Sequence, residues 1–297
     1  MQADPGLAAI VLVYGVQGGL GLSRLATSYF LKDELALDPA AIALLTSAAA
    51  APWLVKPLWG ALSDAVPLLG YRRRSYLALS GLVGAAGWAA LATAVHSREA
   101  ALAALLATSL STAVADVVVD GLVVERARHG EGDGGALAEA GSLQSLCWGA
   151  SAVGGIASAY FSGSLVQALG PRPVMGLTAV LPLLVCAVAP LVADTPAALP
   201  SVGGAAAALA AEASALASVL RRRSVWAPAA FVFLWQAAPN CDTAWFFFVT
   251  EKLNFQPEFL GQVRPRLPRG CLRVAPPPCG SQRAACRCAL LAASRPS

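Results

Sequence analysis

A few charged and polar residues stand inside otherwise apolar stretches of this 297-residue sequence, and these are the ones whose types and spacing have chemistry to do. A charged side chain in a membrane-spanning segment costs about 3 kcal/mol on insertion scales, so it needs a partner, a water-lined cavity or a task. Lys56 lies in Pro52-Trp53-Leu54-Val55-Lys56-Pro57, framed by two prolines that loosen the backbone hydrogen-bond ladder. Asp116 and Asp120 lie in Asp116-Val117-Val118-Val119-Asp120, and their i, i+4 spacing puts both carboxylates on one helical face. Two such carboxylates repel when both are ionised, so a shared proton is the chemistry they offer. The same pair suits two other tasks: accepting N–H groups of a ligand, or binding Lys56 and Arg24 to hold helices together.

Arg24 follows the glycine-rich run Gly18-Gly19-Leu20-Gly21, and Asp242 follows Pro239-Asn240-Cys241. Such clusters mark broken helices, which form binding sites near the membrane midplane, so both residues are candidates for ligand or ion contact. For Arg24 there is a second reading, a long side chain snorkelling to the interface. Gln144, Ser145 and Trp148 lie about one turn apart and offer an amide and an aromatic face to a flat heterocycle, or an interhelical hydrogen bond. Downstream, Gly155, Ala159 and Gly163 recur every four residues, a small-residue stripe whose first explanation is close helix packing. Gly60 and Asp64 precede a loop carrying Arg72, Arg73 and Arg74, an acid facing an arginine cluster that locks one conformation through ion pairs and releases it in another.

The elements that position these residues follow from composition. The chain is 57% apolar and only 13% charged, with positive mean hydropathy, against about 25% charged in a soluble domain. Seven stretches are long enough to cross a ~30 Å hydrocarbon core as helices, over 7–30, 41–63, 75–95, 99–124, 141–166, 173–193 and 225–249. The fold class is therefore all-α, a polytopic membrane protein, and a soluble enzyme is excluded. No signal or transit peptide is legible at the N-terminus.

The arginine and lysine distribution favours the N-terminus on the cytoplasmic side or its organellar equivalent. Arg72, Arg73, Arg74, Arg126, Arg128, Arg221, Arg222 and Arg223 then lie inside, while Lys32, Arg98, Arg172 and Lys252 lie outside. Residues 194–224 read as an Ala-rich connection, either a helix on the inner membrane face or an unstructured linker.

Residues 264–297 carry seven arginines, six prolines and four cysteines with no acid. They read as a disordered tail or as the product of a shifted reading frame or retained intron. Without those arginines residues 1–263 carry a net −3, so the formal +4 makes no case for nucleic acid. The cysteines imply no disulfide framework, and with two histidines in the chain no metal site or other cofactor is indicated.

Assembled in order, these motifs resemble the folate-biopterin transporter family, a branch of the major facilitator superfamily. The resemblance rests on Tyr29-Phe30-Leu31-Lys32-Asp33, the Pro52–Pro57 and Asp116–Asp120 runs, Gly70-Tyr71-Arg72-Arg73-Arg74-Ser75-Tyr76, Val124-Glu125-Arg126-Ala127-Arg128 and Gly141–Gly149. It implies a twelve-helix, proton-driven carrier of folates or pterins in a lipid bilayer, such as a chloroplast envelope or plasma membrane. On that template residues 1–193 are a six-span half, 194–224 an inner linker and 225–263 a seventh span opening a second half whose remainder is missing. A facilitator-type carrier of another organic anion, or a membrane protein that does not transport, are the alternative functions.

Overall fold

Proline and glycine decide where the helices of this chain stop. In a computed structural model, the regular elements among the described residues are all helical. The structure describes residues 4–128, 133–192, 221–237 and 241–266, with scattered positions between 194 and 219. Most of the 194–224 connection and nearly all of the 264–297 tail therefore lie outside the described residues.

The first pass is α1 (Pro5–Gly19) followed by α2 (Leu22–Tyr29) and a π-turn, Phe30–Glu34. Asp4 caps α1, accepting the Gly6 and Leu7 amides through its carboxylate, with Pro5 at the first helical position. The Gly18–Gly21 run shifts the ladder to i→i+3 bonds, Gly21 N to Gly18 O at 3.1 Å and Arg24 N to Gly21 O at 3.1 Å.

The second pass is three pieces rather than one helix: α3 (Pro39–Ala49), α4 (Ala51–Leu54) and α5 (Lys56–Ala65). Pro52 and Pro57 each supply no N–H, and each sits at the second position of a new helix, so breaks fall at Ala50 and Val55.

Continuous apolar helices follow: α6 (Arg74–Thr93), α7 (Arg98–Arg128) and α8 (Asp133–Leu169), then α9 (Pro171–Thr178) and α10 (Val180–Val188), which form one pass. Among the described residues five segments, counting the first pass, are long and apolar enough to cross a membrane. The seventh stretch is divided like the second, into α11 (Arg223–Gln236), α12 (Asp242–Phe247) and a π-turn, Phe248–Lys252, before α13 (Pro257–Arg266).

The beginning and end of the described chain repeat one another 218 positions apart. Pro5 and Arg223 open helices, Phe30–Glu34 and Phe248–Lys252 are π-turns, and Pro39 and Pro257 open the next helices. Ala36 and Asn254, also equivalent, both adopt left-handed backbone, with φ of 49° and 52°. The i→i+5 bonds match too, Leu35 N to Phe30 O at 3.1 Å and Leu253 N to Phe248 O at 3.2 Å.

Two buried clusters join the passes. One gathers Ile10, Val13, Tyr14, Leu77, Val119, Cys147 and Val185 from α1, α6, α7, α8 and α10. The other gathers Phe30, Leu31, Leu45, Trp88, Leu91 and Met175. Between apolar helices in lipid there is little hydrophobic drive, so approach depends on small residues. A Cβ on Gly18 would strike the Ser151 carbonyl, and one on Gly154 the Gly15 carbonyl, so α1 and α8 touch backbone to backbone. Gly163 likewise meets Pro257 and Glu258 of α13.

Within the small-residue stripe, Gly155 differs. A Cβ there meets nothing within 4 Å, and its neighbour Gly154 makes the contact. Gly154→Ala should therefore lower stability by about 1–3 kcal/mol, because a carbonyl cannot rotate away as a side chain does. Gly155→Ala should be neutral or stabilising by up to ~1 kcal/mol through helix propensity. Thermal unfolding of both variants in detergent checks this, and equal behaviour would refute the packing assignment.

Candidate functional site

The break at Val55 makes Lys56 the first residue of α5 and turns its side chain onto α7. There it forms an ion pair with Asp116 and a second with Asp120, Nζ to Oδ2 at 3.2 Å. One helical turn separates the two carboxylates, so a single ammonium reaches both. Gly60, farther along α5, lies so close to α7 that an added Cβ would stand 3.3 Å from Val117 Cγ1. The glycine thus sets the separation that the ion pairs need.

Tyr14 of α1, a residue no sequence motif singles out, donates its hydroxyl to Asp120 Oδ1. Asp120 thereby holds Lys56 on one oxygen and Tyr14 on the other. The Trp53 ring lies 5.5 Å from Lys56 Nζ, within cation–π range. Asp116 is enclosed at 14% side-chain exposure, whereas Asp120 is 46% exposed. One lysine against two carboxylates carries net −1 when all three are ionised. The open carboxylate is the place where a proton or a donor group of a ligand would meet that charge.

Other sequence-predicted residues lie apart from this cluster. Arg24 is exposed on α2, and Asp242 is exposed at the start of α12. Neither side chain has an ion-pair or hydrogen-bond partner among the described residues, so Arg24 does not join Lys56 in binding the two aspartates. Gln144 and Trp148 are exposed on α8, Trp148 at 61%. Among the described residues no three His, Cys, Asp or Glu side chains converge on a metal position, and Cys147, Cys186 and Cys241 are free thiols.

At the end of the bundle nearest this cluster, Arg73 pairs with Glu125 at 3.3 Å and approaches Asp64 at 3.9 Å. The backbone amides of Arg73 and Arg74 both donate to Asp194, at 2.7 and 3.1 Å. Arg74 stacks on Tyr71, and Arg126 binds Asp4 at 2.8 Å, holding that exposed carboxyl below the usual carboxylate range. The Gly60–Arg74 loop is thus tied to α7 and to the residues following α10. Asp194, outside any sequence motif, supplies the second tie.

The opposite end has its own polar group. Arg172 donates to Glu34 at 2.6 Å, to the Val95 carbonyl at 2.8 Å and to His96 Nδ1 at 3.3 Å, with its guanidinium over the Phe30 ring. These contacts tie the π-turn to the C-terminal end of α6 and the start of α9.

Residues 17–267 match the BT1 family. The chain belongs to that family. It is 49% identical over 258 residues to a protein of Synechocystis named folate-biopterin transporter, covering 87% of this chain and 51% of that one. A probable folate-biopterin transporter 4 of Arabidopsis thaliana is 35% identical over 191 residues, covering 63% of this chain and 38% of that one. Folate transporter 2 of Plasmodium falciparum is 26% identical over 256 residues, covering 86% and 54%. This chain spans about half the length of the curated relatives it matches. With family and apolar helices together, this BT1-family chain is an integral, multi-pass membrane protein.

Removing Lys56 alone should destabilise the protein more than removing it together with a carboxylate, because the single change leaves two facing acids without their counter-ion. Lys56→Met, Asp116→Asn and the double variant form a cycle with an expected coupling of about 1–3 kcal/mol. Denaturation of the purified variants reads it. A coupling near zero would mean that the ion pair contributes nothing to the bundle.

Proposed function

We propose that this chain carries folates or pterins across a membrane as a non-enzymatic carrier, and that the Lys56–Asp116–Asp120 cluster is its substrate and proton site. One observation carries the reading: two carboxylates on one face of α7 meet a lysine of α5 inside the helical bundle of a protein whose relatives are named for folate and biopterin transport. A pterin presents an amino group and a ring N–H side by side on its pyrimidine edge, a donor pair that one carboxylate accepts. Asp120 is the carboxylate suited to it, being half exposed and steadied by the Tyr14 hydroxyl. Asp116 keeps Lys56 in place, and a proton on Asp120 brings the cluster from net −1 to neutral while that ion pair remains.

The rest of the proposal follows the same division. Residues 1–193 form one half of the carrier, 225–263 begin a second, and the arginine-rich end faces the cytoplasm or its organellar equivalent. In that orientation the Arg73 ties to Asp64, Glu125 and Asp194 are the inner lock, which opens as the halves move. Gln144 and Trp148, exposed one turn apart on α8, line the path as an amide and a stacking face. The bilayer surrounds the helices.

Asp120→Asn and Asp116→Asn test the proposal, since each keeps the shape of the side chain and removes its charge. Loss of a charge-assisted hydrogen bond of ~1.5–3 kcal/mol predicts biopterin affinity weaker by tens of fold for Asp120→Asn. The pH dependence of binding should flatten in both. Equilibrium binding of labelled biopterin to the purified chain across pH 5–8 measures this. Wild-type affinity and pH dependence in both variants would make the cluster purely structural.

A further inference from the structure

The repeat places two opposite charges at equivalent positions. Arg24 and Asp242 stand 218 residues apart, the offset that also relates Lys32 to Thr250. Along α2 and its π-turn, Arg24, Ser28 and Lys32 fall at i, i+4 and i+8 on one face, and Asp242, Phe246 and Thr250 do so on the equivalent helix. At the outer end these faces touch. Lys32 Nζ donates to Thr250 Oγ1 at 3.1 Å and lies 3.6 Å from Glu251, and the Tyr29 and Phe246 rings meet edge-on at 5.2 Å. Two turns deeper, Arg24 and Asp242 are both exposed and have no side-chain partner among the described residues. Ser23, Leu25 and Ala26 beside Arg24 are buried against the first bundle, so the arginine is directed away from it.

A guanidinium held at that depth without a counter-charge is costly, and its planar donor fork matches a carboxylate. Arg24 lies ten residues beyond Tyr14, which holds Asp120, with the Gly18–Gly21 break between them, a span of about 15 Å at a helical rise of ~1.5 Å per residue. We infer that Arg24 receives the carboxylates of an elongated substrate whose other end lies at Asp120, the glutamate tail of a folate being the group of that chemistry and reach. Asp242, across the seam, repels the carboxylates from its own side and accepts an N–H of the substrate. Arg24 thus distinguishes substrates that carry the anionic tail from pterins that lack it. This rests on the proposed carrier function, since it takes Asp120 as the anchor of the pterin end.

The test is equilibrium binding of folic acid, folic acid dimethyl ester and biopterin to the purified full chain, wild type and variants. Wild type should bind folic acid about 10- to 100-fold tighter than its dimethyl ester. Arg24→Gln should abolish that preference. Arg24→Lys, which keeps the charge but not the fork, should retain part of it, so the inference stays testable if Arg24→Gln does not fold. Asp242→Asn should keep or strengthen it. A wild type indifferent to the ester, or an Arg24→Gln that still prefers the acid, overturns the inference. So does an Asp242→Asn that behaves like Arg24→Gln, because Arg24 and Asp242 would then serve only each other. Biopterin has no carboxylate and reports on the pterin end alone. If wild type binds neither biopterin nor folic acid, the carrier reading itself fails.

Discussion

A lysine and two aspartates cannot stand unpaired among apolar helices, and much of this bundle follows from bringing them together. Lys56 reaches Asp116 and Asp120 because the second pass is broken at Val55, and the break exists because Pro52 and Pro57 cannot continue a helix hydrogen-bond ladder. Gly60 then lets α5 approach α7, and Tyr14 adds α1 to the cluster through Asp120. Three passes are thus joined at one polar centre. Around it, packing depends on glycines that admit carbonyls of the next helix, as at Gly18 and Gly154.

The polar ties at the two ends of the bundle are different in kind. At one end Arg73, Glu125, Asp64 and Asp194 join elements within the first six passes. At the other, Lys32 bridges the two repeats through Thr250 and Glu251. A tie between repeats is the kind of contact that a movement of one repeat against the other must break, whereas ties inside one bundle move with it. The equivalent π-turns, Phe30–Glu34 and Phe248–Lys252, bring the repeats together at that end.

Much of this was legible in the sequence, for reasons that are physical. Long apolar runs name membrane helices directly, and a charge inside one is conspicuous, so the helical membrane class, Lys56 and the aspartate pair all stand out in the sequence. What escaped the sequence depends on which helices are neighbours. Tyr14 is an ordinary aromatic residue until α1 lies beside α7. The stripe of Gly155, Ala159 and Gly163 has the right period, yet the contact with α1 falls on Gly154, because the rotation of α8 is set by its partners. Asp194 lies far from Arg73 in the chain, and no spacing rule links them. The 218-residue repeat hides in its substitutions: Lys32 faces Thr250, Arg24 corresponds to Asp242, and few residues besides Leu35 and Leu253 or the two prolines coincide.

We propose that the half-exposed carboxylate of Asp120, held by Lys56 and Tyr14, is where a pterin meets the protein. Carbodiimide-driven amide labelling of the lipid-embedded chain, read by mass spectrometry with and without biopterin, addresses it at a single residue. Asp120 should be labelled more readily than the enclosed Asp116, and saturating biopterin should suppress the Asp120 label. Unchanged labelling of Asp120 under saturating biopterin would contradict it.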